Sequence, residues 1–169
     1  MKDYNYAATN SGSTAVGALA LQNATTGDRN TGLGYRSLND LTTGGYNVSV
    51  GTYSGQELTT GSGNAILGFY AGRYLKTASD NVAIGRSALS GTSNAQGSRN
   101  VGIGRQAGEK ITSAQGLIAI GYYAGKEVTT AGDQVIIGYE AGKTLTSGAN
   151  NTFIGSSSGK VATGNYNVG

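Results

Sequence analysis

The residues of this chain that could do chemistry are mainly carboxylates. The sequence contains no Cys and no His, which excludes thiol nucleophiles, imidazole general bases and the usual ligand set of zinc. A glycosidase would need two carboxylates facing each other across a cleft, whereas those of this chain fall mainly at variable positions where solvation accounts for them. They are Asp3, Asp28, Asp40, Glu57, Asp80, Glu109, Glu127, Asp133 and Glu140. We therefore predict no catalytic residue, no metal site and no cofactor.

A second candidate for chemistry is the glycine-rich segment 102–108, GIGRQAG. It nearly matches the dinucleotide-binding fingerprint, in which a glycine-rich turn joins a strand to a helix. No amphipathic helix follows it here, and phosphate binding by that fingerprint depends on a helix N-terminus. We interpret the segment as one copy of a repeat rather than as a nucleotide site.

Aromatic side chains are the main candidates for binding, because amphipathic rings can stack on sugars. They form two groups on neighbouring repeats: Tyr53, Phe69, Tyr70 and Tyr74, then Tyr122, Tyr123 and Tyr139. Four arginines that could pair with acidic groups are close in sequence: Arg36, Arg73, Arg86 and Arg105. Aromatic enrichment marks interfaces in general, so we favour the interpretation that these rings cover a seam between chains. The alternative is that the seven aromatics bind a cell-surface glycan or receptor, and in that case Tyr70→Ala with Tyr74→Ala should weaken this binding without affecting assembly.

A repeat that runs through the chain positions these residues. An aliphatic residue followed by glycine recurs nine times, and seven of the eight intervals are 17 residues long. These motif glycines are Gly17, Gly34, Gly51, Gly68, Gly85, Gly104, Gly121, Gly138 and Gly155. The exception is the 19-residue interval between Gly85 and Gly104, which is rich in small polar residues that suit a longer loop. It is an insertion in one turn and not a domain boundary.

Alignment on the motif glycine gives columns with distinct characters. Apolar residues one and three positions before the glycine indicate a β-strand, and we expect both columns to face the core. The column between them, which runs from Ala15 to Phe153, would then point outward, and we infer that it packs against other chains. Ala or Ser always stands three positions after the glycine, and a mostly apolar column stands seven positions after it, with Thr92 as the exception in the copy that carries the insertion.

Two further columns complete the coil. Asn stands four positions before the motif glycine in most copies, as a turn residue or as the rung of a side-chain ladder. Stretches such as Leu41-Thr-Thr-Gly44 predict a second strand that ends at a second tight turn. A unit of this size cannot bury its apolar face alone, but coils stacked about 4.8 Å apart pair their backbones. The sequence predicts an all-β parallel β-solenoid, a single domain over residues 1–169 with about ten coils and the two-residue insertion in the coil spanning 86–104.

A recurring Thr column raises the alternative of ice binding, since some ice-binding solenoids present regular Thr rows. The column contains Thr25, Thr42, Thr59, Thr112, Thr129, Thr146 and Thr163, with Lys76 and Ser93 as interruptions. In a Thr-Thr pair the two side chains point to opposite faces, so a single row is presented. We favour strand propensity as the explanation of this column.

Net charge and the distribution of apolar residues limit the partners and the location that we expect for this chain. The 169 residues carry 12 Lys and Arg against 9 Asp and Glu, a formal net charge of +3, which does not indicate a nucleic-acid partner. Residues 1–20 lack the apolar stretch of a signal peptide, and no segment is apolar for long enough to span a bilayer. We expect no nucleic acid, no membrane insertion and no export signal in this sequence.

Segments 81–88 (NVAIGRSA) and 117–124 (LIAIGYYA) resemble the head repeats of trimeric autotransporter adhesins, the YadA-like head, and the Gly/Asn-rich repeats of bacteriophage tail fibres. The resemblance implies a left-handed parallel β-roll, a homotrimer, and an attachment or display role on a virion tail fibre or an extracellular surface. The repeat of this chain is longer than the typical adhesin coil. Two alternatives remain: a self-assembling filament subunit, and a tailspike-like polysaccharide-degrading enzyme.

Overall fold

The computed structural model describes residues 12–130, 132–159 and 164–169. In this part of the chain it contains nine short strands and no helix. They are β1 (Thr14–Val16), β2 (Thr31–Leu33), β3 (Val48–Val50), β4 (Ala65–Leu67), β5 (Val82–Ile84), β6 (Val101–Ile103), β7 (Ile118–Ile120), β8 (Val135–Ile137) and β9 (Thr152–Ile154). They form one sheet in chain order, and every neighbouring pair is parallel. The predicted all-β parallel β-solenoid is confirmed.

Each strand lies on the next with equivalent repeat positions opposite each other. Thr14 pairs with Thr31 at one end of the sheet, and Val82 pairs with Val101 across the insertion. Nine strands enclose eight complete turns, and at a strand spacing of about 4.8 Å the sheet extends about 38 Å along the solenoid axis. A tenth rung begins at Val168, which bridges to Thr152.

The predicted second strand of each coil is wrong for the described residues, where each complete coil contains one three-residue strand. Thr42 and Thr43, for example, lie in a bend. The Thr42 N–H nevertheless donates to the Thr59 carbonyl at 2.8 Å. Hydrogen bonds along the axis therefore continue through the bends without the extended backbone of a strand.

The face of the strands that is buried is the opposite of the one expected. Ile66, Ala83 and Ile136 are middle residues of their strands and lie in the core, whereas the residues on either side of them are exposed or half-buried. The expectation that the first and last strand residues face the core is wrong. So is the inference that the middle column packs against other chains. Side chains alternate along a strand, so the middle residue of a three-residue strand points to one side and its two neighbours point to the other. The interior of the coil is narrow, and it holds the single middle side chain.

The other core columns are as predicted. The small residue three positions after the motif glycine is buried from Ala20 to Ala141, and the Leu-like column seven positions after it is buried from Leu41 to Leu145. Thr92, the expected exception, is exposed, because Ala95 takes its place in the core and bridges to Leu75. The inserted residues therefore loop outward and leave the apolar row continuous.

Side chains from two columns of repeat positions fill the same space in the core. Four positions after the motif glycine the chain has either Leu or Gly. Leu precedes strands whose middle residue is Gly or Ser, and Gly precedes strands whose middle residue is Ala, Ile or Phe. Leu89 precedes Gly102, where an added Cβ would lie 2.6 Å from the Leu89 Cγ. Gly125 precedes Ile136, whose Cδ1 would lie 3.1 Å from a Cβ at that glycine. A large side chain in one column thus requires a small one in the other.

The Asn column forms the side-chain ladder that its spacing predicted, and Asn30, Asn47, Asn64, Asn81 and Asn100 are all buried. The Asn64 Nδ2 and backbone N–H both donate to the Asn47 Oδ1, at 2.9 and 3.0 Å. The same Nδ2 donates to the Ala78 carbonyl at 2.9 Å. Each buried amide is therefore satisfied by the coils on either side.

Leu117 and Gln134 interrupt this ladder. The Leu117 N–H donates to the Asn100 Oδ1 at 2.9 Å, but an aliphatic side chain cannot accept from the next coil. The Gln134 Nε2 donates to the carbonyls of Gly132 and Gly148, at 3.1 and 2.7 Å. Its Oε1 is buried without a hydrogen-bond partner, which is the kind of group that costs stability.

The motif glycine is required where consecutive coils approach most closely. The Gly68 N–H donates to the Val50 carbonyl at 2.8 Å, with a φ of +135° at Gly68. A Cβ at this position would lie 2.7 Å from the carbonyl oxygen of Gly85 on the next coil. At Gly155 the φ is +126°, but nothing lies within 4 Å of the corresponding position.

We expect Gly68→Ala to destabilise the fold more than Gly155→Ala. Both substitutions strain a positive φ, at a cost of about 1–3 kcal/mol, but only the first drives a methyl group into the backbone of a neighbouring coil, for roughly 1–3 kcal/mol more. Urea unfolding followed by far-UV circular dichroism measures the difference. Equal losses for the two variants would contradict the close-approach explanation.

Repairing the ladder should stabilise the protein. We expect Gln134→Asn to raise the thermal midpoint, because a shorter amide can place its oxygen on the next rung and recover part of the roughly 1–3 kcal/mol lost to a buried unpaired acceptor. The matched control is Asn64→Gln, which introduces the longer amide into an intact rung and should lower the midpoint. If both variants shift it in the same direction, ladder geometry is not the cause.

Candidate functional site

The seven predicted aromatic residues all lie in the turns that follow the strands. Tyr53, Tyr70 and Tyr123 occupy the second position after the motif glycine, with φ values of +58°, +58° and +59°. Their backbone is held between coils, since the Tyr53 N–H donates to the Tyr35 carbonyl at 2.9 Å and the Tyr70 N–H to the Thr52 carbonyl at 3.1 Å. Successive turns therefore stack their side chains into rows along the axis.

The first aromatic group is assembled as predicted, and it surrounds an arginine. The rings of Tyr53 and Tyr70 have centroids 5.1 Å apart, and Phe69 lies 4.0 Å from Tyr70. The Arg73 guanidinium lies 4.5 Å from the centroid of Tyr70 and 4.7 Å from that of Tyr74, which is cation–π distance.

Two members of this group lie outside the seven predicted aromatics: Tyr35, and Arg73, which the sequence suggested only as a partner for acidic groups. Tyr35 meets Tyr53 edge-on at 5.3 Å, and Arg73 is central. Column position could have identified both, because Tyr35 shares a column with Phe69, and Arg73 stands one residue before Tyr74 in the same turn. The Arg73 Nε also donates to the Gln56 Oε1 at 3.0 Å, which orients the guanidinium.

The second aromatic group, Tyr122, Tyr123 and Tyr139, is also brought together. The rings of Tyr122 and Tyr139 stack at 5.3 Å with an interplanar angle of 6°, and those of Tyr122 and Tyr123 lie 4.0 Å apart. The ammonium groups of Lys126 and Lys143 lie 4.8 and 5.0 Å from the Tyr123 centroid. A side-chain hydrogen bond with Tyr123, together with burial, raises the pKa of Tyr122 above its ordinary value.

Ion pairs on neighbouring coils flank this second group. Lys110 contacts Glu127 at 2.6 Å, and Lys143 contacts Glu140 at 2.7 Å. In each case the hydrogen bond from the lysine to its carboxylate is the main reason why the lysine pKa is raised. Lys126 adds a contact with Glu109 at 3.6 Å. Glu109, Glu127 and Glu140 therefore each contact a lysine. In the described ranges no cluster of acidic residues could bind a metal ion.

Phe69 of the first group and Tyr122 and Tyr139 of the second belong to one row, which we call the turn stripe. It consists of the first residue after each motif glycine from the second coil to the eighth: Tyr35, Thr52, Phe69, Arg86, Arg105, Tyr122 and Tyr139. The Arg86 guanidinium lies 5.8 Å from the Phe69 centroid, and that of Arg105 lies 5.6 Å from the Tyr122 centroid. Two arginines therefore bridge the aromatic groups on adjacent coils.

A second surface, which the sequence interpretation placed inside, is the outer face of the sheet. We call it the aliphatic face, and it consists of the first and last residues of β1 to β9. Its positions hold only Val, Leu, Ile, Ala and Thr. Val16 is 55% exposed, Leu33 43%, Leu67 49% and Ile154 60%. The signal that could have identified it is the exchange of volume between the middle strand residue and the residue four positions after the preceding motif glycine, as at Gly102 and Leu89. It places the middle residue in the core and therefore the first and last strand residues outside.

The Thr column has a structural explanation. The Thr42 hydroxyl donates to the Thr59 carbonyl at 3.1 Å, and the Thr112 hydroxyl donates to the Thr129 carbonyl at 2.9 Å. Each of these hydroxyls is thereby used to join its coil to the next. Thr163 lies outside the described residues.

The glycine-rich segment 102–108 is built into the solenoid. Gly102 is the middle residue of β6 and faces the core, and the residues after the strand form a turn. A phosphate-binding fingerprint needs a helix at this point. Glycine is needed at position 102 because the Leu89 side chain fills the adjacent space.

Comparison with known proteins adds no family assignment, since the chain has no significant match among protein-family models, curated proteins or solved structures. Residues 12–130, 132–159 and 164–169 include no helix long and apolar enough to cross a membrane.

We expect the Tyr70→Ala/Tyr74→Ala variant to fold, with a thermal midpoint lower by several degrees. The rings are half-buried on the outside of the coil, so their loss removes aromatic and cation–π contacts of about 0.5–1.5 kcal/mol each and opens no core cavity. Circular dichroism melting measures the change. The control is Tyr46→Ala, because Tyr46 also has a positive φ and its side chain is 60% exposed. Loss of the folded spectrum in the double variant would show that the group is part of the core scaffold.

Proposed function

We propose that this chain is a structural and adhesive module of a fibre, such as a phage tail fibre or the head of a surface adhesin. In this role it acts by rigid, multivalent display and not by catalysis. Copies pack side by side as a homotrimer, and the turns present side chains to a cell-surface glycan or receptor. Such a module works on a virion or outside a cell.

The observation that supports this proposal is the aliphatic face. Apolar side chains release about 25 cal/mol for each Å² removed from water, and a continuous apolar patch on a soluble protein is usually a contact surface. Both rows of the face run from β1 to β9 without a charged residue. A surface of this composition favours a partner that is itself apolar and equally long.

A second copy of this chain meets that requirement. Its rows have the same spacing of about 4.8 Å between rungs, so side chains of two parallel copies can interdigitate along the whole sheet. Each copy has two rows, formed by the first and by the last strand residues. In a closed three-fold arrangement one row meets one neighbour and the other row meets the second neighbour, which leaves no apolar row uncovered.

The proposal predicts that Leu67→Lys with Ile84→Lys converts the assembly to monomers. Both side chains are exposed in the single chain, at 49% and 36%, so two lysines should leave the coil folded while placing charge in the centre of the interface. Sedimentation equilibrium at micromolar concentration gives the mass, and far-UV circular dichroism verifies the fold.

The control is Thr60→Lys with Thr77→Lys, which adds the same charge at exposed positions of neighbouring coils, away from the aliphatic face. This variant should keep the mass of the unmodified protein. A monomeric unmodified protein would refute the trimer, and a mass of two chains would refute the three-fold arrangement. Electron microscopy separates discrete short rods, which the proposal expects, from long fibres, which would favour the filament alternative.

A further inference from the structure

The structure points to an anion site in the middle of the turn stripe, at Arg86 and Arg105. We infer that it binds an acidic saccharide, a sugar chain bearing carboxylate or sulfate groups. This inference rests on the attachment role proposed above and names the class of ligand.

The two arginines are equivalent residues on adjacent coils. Ile84 of β5 pairs with Ile103 of β6, which places the two side chains two residues beyond paired strand ends. The Gln106 N–H donates to the Arg86 carbonyl at 2.9 Å, so the register continues through the turn. Equal charges on neighbouring rungs about 4.8 Å apart repel each other. Apart from the contact that each guanidinium makes with a neighbouring ring, the fold gains no stability from this placement.

Neither guanidinium is neutralised by the part of the chain that the structure describes. Both residues are exposed, and the ion pairs of the described residues all use lysines. Their contacts are with the rings of Phe69 and Tyr122. Two planar, pre-oriented guanidinium groups are suited to bidentate binding of carboxylate or sulfate.

The flanking rings indicate a sugar rather than a free anion. Phe69, Arg86, Arg105 and Tyr122 stand on four successive coils, a length of about 14 Å at the usual rung spacing, which is long enough for a short oligosaccharide. Phe69 is exposed and Tyr122 half-buried, so ring surface is available on either side of the charges for stacking on pyranose faces. A nucleic acid is a poorer fit, because the net charge of the chain is only +3.

Calorimetric titration with sulfated maltohexaose tests the inference, with unsulfated maltohexaose and inorganic sulfate as reference probes. The sulfated sugar should bind, less tightly as NaCl is added, and both reference probes should bind more weakly. Arg86→Gln with Arg105→Gln should weaken binding by roughly tenfold or more, since it removes the charged hydrogen bonds to the sulfate groups. Phe69→Ala should weaken it less.

The matched control is Arg29→Gln with Arg99→Gln, which removes the same charge from two exposed arginines. Whereas Arg86 and Arg105 lie just after the strands, these arginines lie just before them. These arginines bond Tyr46 and Gln115, and their loss should leave the affinity unchanged within about twofold. Equal loss in the two double variants would reduce the effect to net charge and overturn the site. So would inorganic sulfate that binds as tightly as the sulfated sugar, or a sulfated sugar that does not bind.

Sedimentation of the same samples separates this inference from the proposed function. An intact trimer that fails to bind the sulfated sugar overturns the anion site and leaves the fibre module. A monomer that binds it overturns the trimer and leaves the site. If Arg86→Gln with Arg105→Gln dissociates the assembly, the guanidinium groups belong to the seam between chains and the saccharide inference is wrong.

Discussion

The close approach of each coil to the next is the constraint on which the rest of this solenoid depends. The carbonyl oxygen of one motif glycine occupies the place where a Cβ of the preceding one would be, as at Gly68 and Gly85. Because only glycine allows this contact, the positions of the motif glycines fix the register of the stack, across the 19-residue interval as well as the 17-residue ones. Once the register is fixed, equal columns stack, and the Asn ladder, the Thr hydroxyl bonds and the aromatic rows all follow from that stacking.

The core adapts to this fixed backbone by exchanging volume between columns. Leu38 precedes Ser49, Leu89 precedes Gly102, and Gly142 precedes Phe153. The side chain that fills the coil therefore comes from the turn in some repeats and from the strand in others. The leucines at positions 38 and 89 adopt positive φ values of +49° and +42°, where glycine stands in most repeats. Filling the coil offsets this backbone strain.

The repeat pattern was sufficient to predict the period, the strand positions, the small column and the Asn ladder, because each depends on stacking of equal positions. It did not decide which side of the strand is buried. Both sides of a strand such as Ala65–Leu67 are apolar, so alternation alone is consistent with either orientation. The size exchange between the two columns, visible at Leu89 with Gly102, contained the missing information, because residues that exchange volume must face the same space. Alignment on the motif glycine also places Arg86 and Arg105 in one column, but only the stacked coils show that their guanidinium groups lie against the rings of Phe69 and Tyr122.

The arrangement of charges along the turns separates complementary ladders from one pair of like charges. Lys110 lies against Glu127, Lys126 lies against Glu109, and Arg73 donates to Gln56. In these ladders a charged group on one coil meets a complementary group on the next, which stabilises the stack. Lys126 and Lys143 also occupy consecutive rungs, but each contacts a glutamate. Arg86 and Arg105 depart from this rule, because they place like charges on consecutive rungs and neither forms an ion pair with the described residues. Where a sequence follows its stacking rules in neighbouring columns, a local departure is the feature that stability does not explain. The fold can accommodate such a pair because both side chains are exposed outside the core, while their backbone carbonyls keep the hydrogen bonds between coils.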